Sequence, residues 1–383
     1  FTSNPSIHFL LIFFFKRYFV NKTKIILSII VLAIIAIVGY TFATKGSDDS
    51  VTNSNTPKQK VYIYNWTEYI TSDLLNKFTK ETGIEVVYTT YESNEEMYAK
   101  LKLNSNSSQP YDIVVPSNHF VARLIAENLI QPLDLSRLQV DNLLPEVLNK
   151  PFDPENKYSI PYTYGFTTIG IDKSYAPNLT IESINDLWKP EFTDIMLLND
   201  QRDIFSLTLK GLGYDPNTTD TEQIKEAYER LLQLMPKVKT FNSDAPEVPF
   251  VNQEVRTGII WTGSAFRGSL DDPNLTVVWP KEGSVQFIDS FVIPNGAKNI
   301  DAAYEFINFM LQPENAVEIL KNLGFQPANA HIKDLLPIEW QNSPILFPPQ
   351  WVFEKATLNQ DLGNKLLEVY NSYWNQLRVG ANK

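Results

Sequence analysis

The chain has 383 residues, 43% apolar and 20% charged, which is enough for a sizeable core and for more than one folding unit. A net charge of −11 argues against a phosphate-backbone binder, which needs a basic surface. The absence of cysteine excludes disulfides, thiolate metal sites, cysteine nucleophiles and a thioether-linked lipid anchor, and His8, His119 and His331 are too scattered to suggest a metal centre.

Ile25 to Ala43 is an uncharged apolar run long enough to cross a bilayer as a helix. Lys16, Arg17, Lys22 and Lys24 precede it, so the positive-inside bias places residues after 45 outside the cell. A signal peptide cleaved after Thr41-Phe42-Ala43 and an uncleaved anchor both fit; the length of the run and the lack of a lipid-anchor cysteine favour the anchor. The segment 1–24 is then a cytoplasmic flank or a mistranslated N-terminal segment. Residues 44–60 are polar and read as a linker, and the folded part begins at Val61.

From there strand and helix signals alternate. Val61 to Asn65 is a β-prone run. Ser72 offers an N-cap, Leu74, Leu75 and Phe78 share a helical face, and Gly83 ends the helix. Glu85 to Tyr91 is a second strand, and Ser93-Asn94-Glu95-Glu96 is a capping box opening a second helix. Asp112 to Pro116 is a third strand, apolar on both faces as an internal parallel strand should be. Later strands are expected at Thr168–Ile171, Met196–Leu198, Gly258–Thr262, Thr276–Trp279 and Phe287–Ile293. Helices are expected at Ile204–Leu212, Thr221–Leu234, Ala302–Leu311, Pro313–Leu323 and Gly363–Leu377. The fold class is α/β. More than 320 residues of it exceed what one sheet usually holds, so two lobes with an interlobe cleft beyond the strand ends are expected.

Polar and aromatic residues recur just after these strands. Trp66, Thr67, Glu68 and Tyr69 follow the first, Ser117 and His119 the third, and Asp200 and Asp203 the strand at 196–198; Trp261 and the pair Phe287 and Asp289 fall at later strands. Carboxylates set among rings suit an elongated polycation. Its ammonium groups need acids, because an unpaired buried charge costs several kcal/mol, about 3 to 5 when a partner is removed. Its methylenes need flat apolar walls, worth roughly 0.8 kcal/mol per buried CH₂, and rings attract the amines as well. No phosphate-cradling glycine motif or nucleophile elbow is present.

The segments YNWTEYI (Tyr64–Ile70), FTKETGI (Phe78–Ile84), YESNEEMYAKLK (Tyr91–Lys102), YDIVVPS (Tyr111–Ser117), LNKPFDPENKYSIPY (Leu148–Tyr162), FNSDAP (Phe241–Pro246), WTGSAF (Trp261–Phe266) and VVWPKEG (Val277–Gly283) resemble, in collinear order, the spermidine/putrescine-binding proteins of polyamine ABC importers. The resemblance implies a two-lobed, type II periplasmic-binding-protein-like fold preceded by the transmembrane or signal segment. Lobe 1 would comprise about 61–164 and 288–333, and lobe 2 about 168–283 and 338–383. It further implies closure around a polyamine on the extracytoplasmic face of the cell membrane and delivery to a membrane permease powered by an ATPase, with no cofactor, no metal and no nucleic-acid partner.

Carried over position by position, the resemblance implies ligand roles for Trp66, Thr67, Glu68, Tyr69, Ser117, Asp200, Asp203, Ser243, Trp261, Asp289 and Asn359. His119 stands where the family has Tyr, Asp203 where it often has Glu, Phe287 where Trp is familiar, Phe325 where it has Tyr and Asn359 where it has Gln. Plainer readings stand beside these. Asp200 and Asp203 also suit the first turn of the following helix, any one Trp suits the core, and Tyr370, Tyr373 and Trp374 have helical packing spacing. A same-fold receptor for another cationic or small organic solute is the alternative. A hydrolase using two carboxylates such as Asp200 and Asp289 fits less well, and the chain is not read as an enzyme.

Overall fold

The expected strand–helix alternation is present from the start of the described chain. This computed structural model describes residues 59–67, 69–104, 110–174, 177 and 180–381. The anchor or signal segment expected at 25–43, most of the linker 44–60, and Glu68 lie outside these residues. Among the described residues no helix is long and apolar enough to cross a membrane.

β1 (Lys60–Trp66) pairs in parallel with β2 (Glu85–Tyr91) across the helix α1 (Ser72–Thr82), which makes the first βαβ unit. The N-cap of α1 is Thr71 rather than Ser72: its hydroxyl accepts from the Leu74 N–H at 3.3 Å. Gly83 ends the helix at φ 75°, the left-handed conformation that glycine adopts without a Cβ penalty. In α2 (Asn94–Asn104) the Ser93 hydroxyl accepts from the Glu96 N–H. The Glu96 carboxylate reaches back to the N–H of Glu92, one residue before the one expected. β3 is only Ile113–Val114. It is cut short on one side by Asp112, whose carboxylate captures the Tyr62 N–H, and on the other by Pro116, which has no N–H to donate.

β4 (Ser159–Asp172) is the longest strand, and every residue in it is buried. Only its last residues, 168–171, carry an obvious strand signal. Pro161 and Gly165 interrupt the first part of the sequence pattern, and the ladder to β9 shifts register between Pro161 and Thr163. β5 (Ile195–Leu197), β6 (Val238–Phe241), β7 (Thr257–Trp261), β8 (Leu275–Val278), β9 (Val285–Val292), β10 (Gln326–Pro327) and β11 (Thr357–Leu358) complete the sheet. The strand order is β2-β1-β3-β9-β4-β7-β5-β6, with β8 and β10 on β4 and β11 on β9. The β3–β9, β9–β4 and β4–β7 pairs are antiparallel, so the sheet is mixed rather than all parallel.

The remaining helices of nine residues or more are α3 (Asn118–Ala126), α4 (Gln201–Leu212), α5 (Thr221–Leu234), α6 (Thr262–Asp271), α7 (Ile300–Leu311), α8 (Pro313–Leu323) and α9 (Gly363–Ala381). α3, α6, β6, β10 and β11 have no counterpart among the elements expected from the sequence. The fold has two lobes, and β4 runs from one core to the other. Its Tyr162, Tyr164 and Phe166 pack with Ile63, Phe78 and Phe306, whereas its Ile169 and Ile171 pack with Leu197, Phe205 and Leu231. β9 does the same in reverse, with Ile288 and Phe291 in the first core and Val285 in the second.

Candidate functional site

Where β4 and β9 run side by side, one face carries a row of chemistry. Thr163 pairs with Asp289, Gly165 with Phe287 and Thr167 with Val285. Alternate residues of a strand share a face, so Thr163, Gly165 and Thr167 point the same way. Four residues of strand separate the two threonines by about 13 Å. At each threonine hydroxyl sits a buried carboxylate: Asp289 at Thr163 (3.5 Å) and Asp203 at Thr167. The Phe287 ring lies between them over Gly165. A Cβ at that glycine would sit 2.4 Å from the ring, so the ring's place depends on the missing side chain.

At the first end, Asp289 is 2% exposed. Its Oδ1 accepts from the Ser117 hydroxyl at 2.6 Å, and its Oδ2 from the Tyr69 hydroxyl at 2.8 Å. Burial raises its pKa to about 6, while hydrogen bonds from Ser117, Tyr69 and Thr163 pull the other way. All three partners are hydroxyls, which can also accept. Asp112, by contrast, is saturated by the N–H groups of Tyr62, Lys298 and Asn299 and the Asn299 amide, which makes it a structural acid.

The first end is positioned from several elements. Ser117 ends the β3 segment and is held by Asn94 of α2, which accepts from the Ser117 N–H and donates to its hydroxyl, each at 3.1 Å. The Tyr162 hydroxyl donates to the Tyr69 carbonyl at 2.6 Å. Trp66 is fixed by donation from its indole N–H to the Val115 carbonyl at 2.9 Å, and its ring lies 6.0 Å from that of Tyr69, which packs on Phe325 at 4.4 Å. Thr67 is exposed, and its hydroxyl donates to the Tyr91 carbonyl at 3.3 Å.

At the second end, Asp200 is the N-cap of α4, accepting from the Asp203 N–H at 3.0 Å. The plainer reading of Asp200 as a helix-start acid therefore holds, and capping is what aims Asp203 at β4. Asp203 is 8% exposed. Besides the Thr167 hydroxyl it accepts from the Trp261 indole N–H at 3.3 Å and from the Asn359 amide at 2.8 Å. Burial, then the neighbouring Asp200 charge, raise its pKa to about 7 against the pull of Thr167, Trp261 and Arg202. Asn359 has its carbonyl oxygen held by Ser206 (2.7 Å) and Arg202 (3.3 Å), so its NH₂ faces Asp203. Ser243 stands one step back, its hydroxyl accepting from the Asn199 N–H at 2.8 Å.

His119, on α3, is half-buried. Burial and the Arg202 and Arg123 charges hold its pKa down to about 4 despite Asp361, so the ring is neutral at physiological pH. Arg123 and Asp361 form a two-pronged ion pair at 2.6 and 2.9 Å, and the Asn118 amide donates to the backbone carbonyl of Asn359 at 2.7 Å. Thr163, Thr167, Asn94, Asn118, Tyr162, Arg202 and Ser206 were not singled out from the sequence. The signals present were the place of Asn118 directly after Ser117, of Arg202 between Asp200 and Asp203, of Asn94 in the capping box and of Tyr162 in the segment 148–162; Thr163, Thr167 and Ser206 gave none. Among the described residues no group of three or more His, Cys, Asp or Glu side chains could hold a metal ion.

The arrangement presents two desolvated carboxylates on one strand face, hydroxyl groups beside them and an aromatic ring between them. Residues 73–348 match the model of a family described as bacterial extracellular solute-binding protein. The chain is 45% identical over 322 residues to the spermidine/putrescine-binding periplasmic protein of Salmonella typhimurium, a match covering 84% of this chain and 92% of that one. It is 32% identical to the putrescine-binding periplasmic protein PotF of Escherichia coli, again over 84% of this chain and 92% of that one. Among solved structures it resembles the spermidine/putrescine ABC transporter substrate-binding protein PotD from Streptococcus pneumoniae, with a TM-score of 0.76, 36% identity, and coverage of 84% of this chain and 99% of that chain.

Proposed function

The chain belongs to the bacterial extracellular solute-binding protein family, and on that premise we propose that it captures a polyamine, spermidine or putrescine, between its lobes for an ABC importer. The observation that carries this reading is the pair of buried carboxylates, Asp289 and Asp203, flanking the Phe287 ring along β4. Each acid is costly to ionise without a cation. A pKa raised from 3.8 to about 6 at Asp289 corresponds to about 3 kcal/mol. An ammonium group recovers that cost by pairing with the carboxylate and donating to the Tyr69 and Ser117 hydroxyl oxygens. Trp66, Tyr69, Phe287, Phe325 and Trp261 wall the methylenes, and the neutral His119 adds no repulsion. Thr67 and Ser243 act through backbone groups, and Asn359 acts by orienting Asp203. Capture, with no bond made or broken, is the whole task assigned to this site.

Lobe 1 at about 61–164 and 288–333, and lobe 2 at about 168–283 and 338–383, fit the division of β4 between two cores. α8 contributes Ile319 to the first core and Ala316, Val317 and Leu320 to a third cluster with Phe250 and Phe266, so it lies where the two meet. Delivery would be to permease subunits and their ATPase on the extracytoplasmic face, with residues 25–43 as the membrane attachment.

Thermal unfolding with a panel of solutes tests this. At a hundredfold excess over Kd, a ligand of the native state stabilises it by about 2.7 kcal/mol. Spermidine or putrescine should raise the unfolding temperature, while maltose and glutamate should not. A rise with the sugar or the amino acid alone would reassign the solute.

A further inference from the structure

The Asp203 end of the row contains a cation of its own. Arg202 follows Asp200 and precedes Asp203 in α4, and its guanidinium is turned back towards the segment after β11. Among the described residues its hydrogen-bond acceptors are neutral: the Asn359 amide oxygen at 3.3 Å, the Asn217 amide oxygen at 3.1 Å, the Pro216 carbonyl at 3.5 Å and the Tyr370 hydroxyl. Its planar face lies 5.0 Å from the Tyr370 ring centroid. A single amide, that of Asn359, stands between this guanidinium and the Asp203 carboxylate, because the Asn359 oxygen accepts from Arg202 and its nitrogen donates to Asp203. A guanidinium does not lose its proton in a protein, so a permanent positive charge sits one amide away from the acid.

The charge balance of the two ends follows. Among the described residues, once a bound ammonium has ionised both acids, the second end has Asp200 and Asp203 against Arg202; the neighbouring Arg123 and Asp361 cancel each other, and His119 is neutral. The balance is then one negative charge. Among the described residues, which leave out Glu68, the first end has Asp289 with neutral hydroxyls around it. Asp200 and Asp203 alone would have made the second end a doubly charged pocket suited to two clustered amines.

We infer that Arg202 is a specificity-determining residue: by cancelling one of the two carboxylates at the Asp203 end, it limits the number of ammonium groups that end accepts. This rests on the polyamine reading above. The protein as built favours a ligand that places one ammonium beside Asp203 over one that crowds a further amine there. In the dry setting of buried acids a fixed charge at this range is only partly screened, so its removal acts more strongly on ligands of higher charge. A purely structural role in holding Asn359 would instead weaken every polyamine by the same factor.

The test is the ratio of dissociation constants for putrescine and spermine, measured by calorimetry at fixed pH and 0.15 M salt. Arg202→Gln should raise the putrescine-to-spermine ratio of Kd values at least threefold over the parent protein. Arg202→Lys, which keeps the charge, should leave the ratio within threefold. A ratio unmoved by Arg202→Gln, with both affinities falling together, overturns the proposal. If that variant does not fold, Arg202→Met decides. It removes the same charge while keeping an unbranched stem, and it should raise the ratio at least threefold; an unmoved ratio is again the contrary result. A parent protein that binds neither amine would defeat the polyamine reading itself, an outcome separate from either of these.

Discussion

At the scale of single residues, the site works through protonation. Both Asp289, at about 6, and Asp203, at about 7, sit above the ordinary carboxylate value because burial penalises their charge. Such a carboxyl binds its proton more tightly in the fold than in the unfolded chain. Its contribution to the stability of the ligand-free protein is therefore complete below about pH 4 and is lost as pH rises through 6 to 7. Ligand binding runs the opposite way, since an ammonium group needs the ionised acid. Spermidine affinity should fall as pH is lowered from 8 to 5, and binding near pH 6.5 should release protons. Calorimetry in two buffers of different ionisation enthalpy reads this directly, and heats independent of the buffer would contradict it. Thr167→Val removes a donor to Asp203 and should shift the affinity loss towards higher pH by about one unit, the worth of one hydrogen bond to a charged group. An unmoved midpoint would show that the Thr167 contact does not tune that acid.

At the scale of elements, β4 is the part on which the site depends, and it was the least legible in the sequence. The runs at Lys60–Trp66, Glu85–Tyr91 and Thr221–Leu234 are found close to where apolar periodicity and capping residues place them. The first nine residues of β4 are hidden by Pro161 and Gly165, which read as breakers. A strand buried on both faces also has no polar alternation to display. Gly165 is there because Phe287 occupies the space of its Cβ. Gly165→Ala should displace that ring and weaken polyamine binding at least fivefold while moving the unfolding temperature little. Gly258 of β7 is a contrasting case: a Cβ there would meet the Met196 carbonyl oxygen at 2.2 Å, where only backbone movement gives room. Gly258→Ala should cost about 1–3 kcal/mol of stability through overpacking; a denaturant midpoint equal to that of the parent would contradict the close β5–β7 approach. Of the candidate site, Trp66, Tyr69, Ser117 and Asp203 stood out because they follow strands, and Phe287 and Asp289 because they fall at the start of one. The positioning residues Asn94, Asn118 and Tyr162 were not, because their roles arise from contacts between segments far apart in sequence.

At the scale of the whole molecule, the row of side chains lies where two cores share β4 and β9, with Asp289 held by residues of the first and Asp203 by residues of the second. A ligand that pairs with both acids links the two lobes and favours the conformation in which both are in reach. Small-angle scattering should show a smaller radius of gyration with spermidine than without it, and superimposable profiles would contradict closure. The net charge of −11 adds a long-range attraction for polycations, so association should slow as salt is raised. The central claim, that buried carboxylates set among rings hold a multivalent amine, is tested most directly by titrating spermidine at pH 7.5 into the protein and into Asp289→Asn. The account predicts one saturable site in the parent and at least a tenfold weaker one in the variant, a loss of about 1.4 kcal/mol or more, with an unfolding temperature no lower than the parent's. Equal affinity in the two proteins would contradict it.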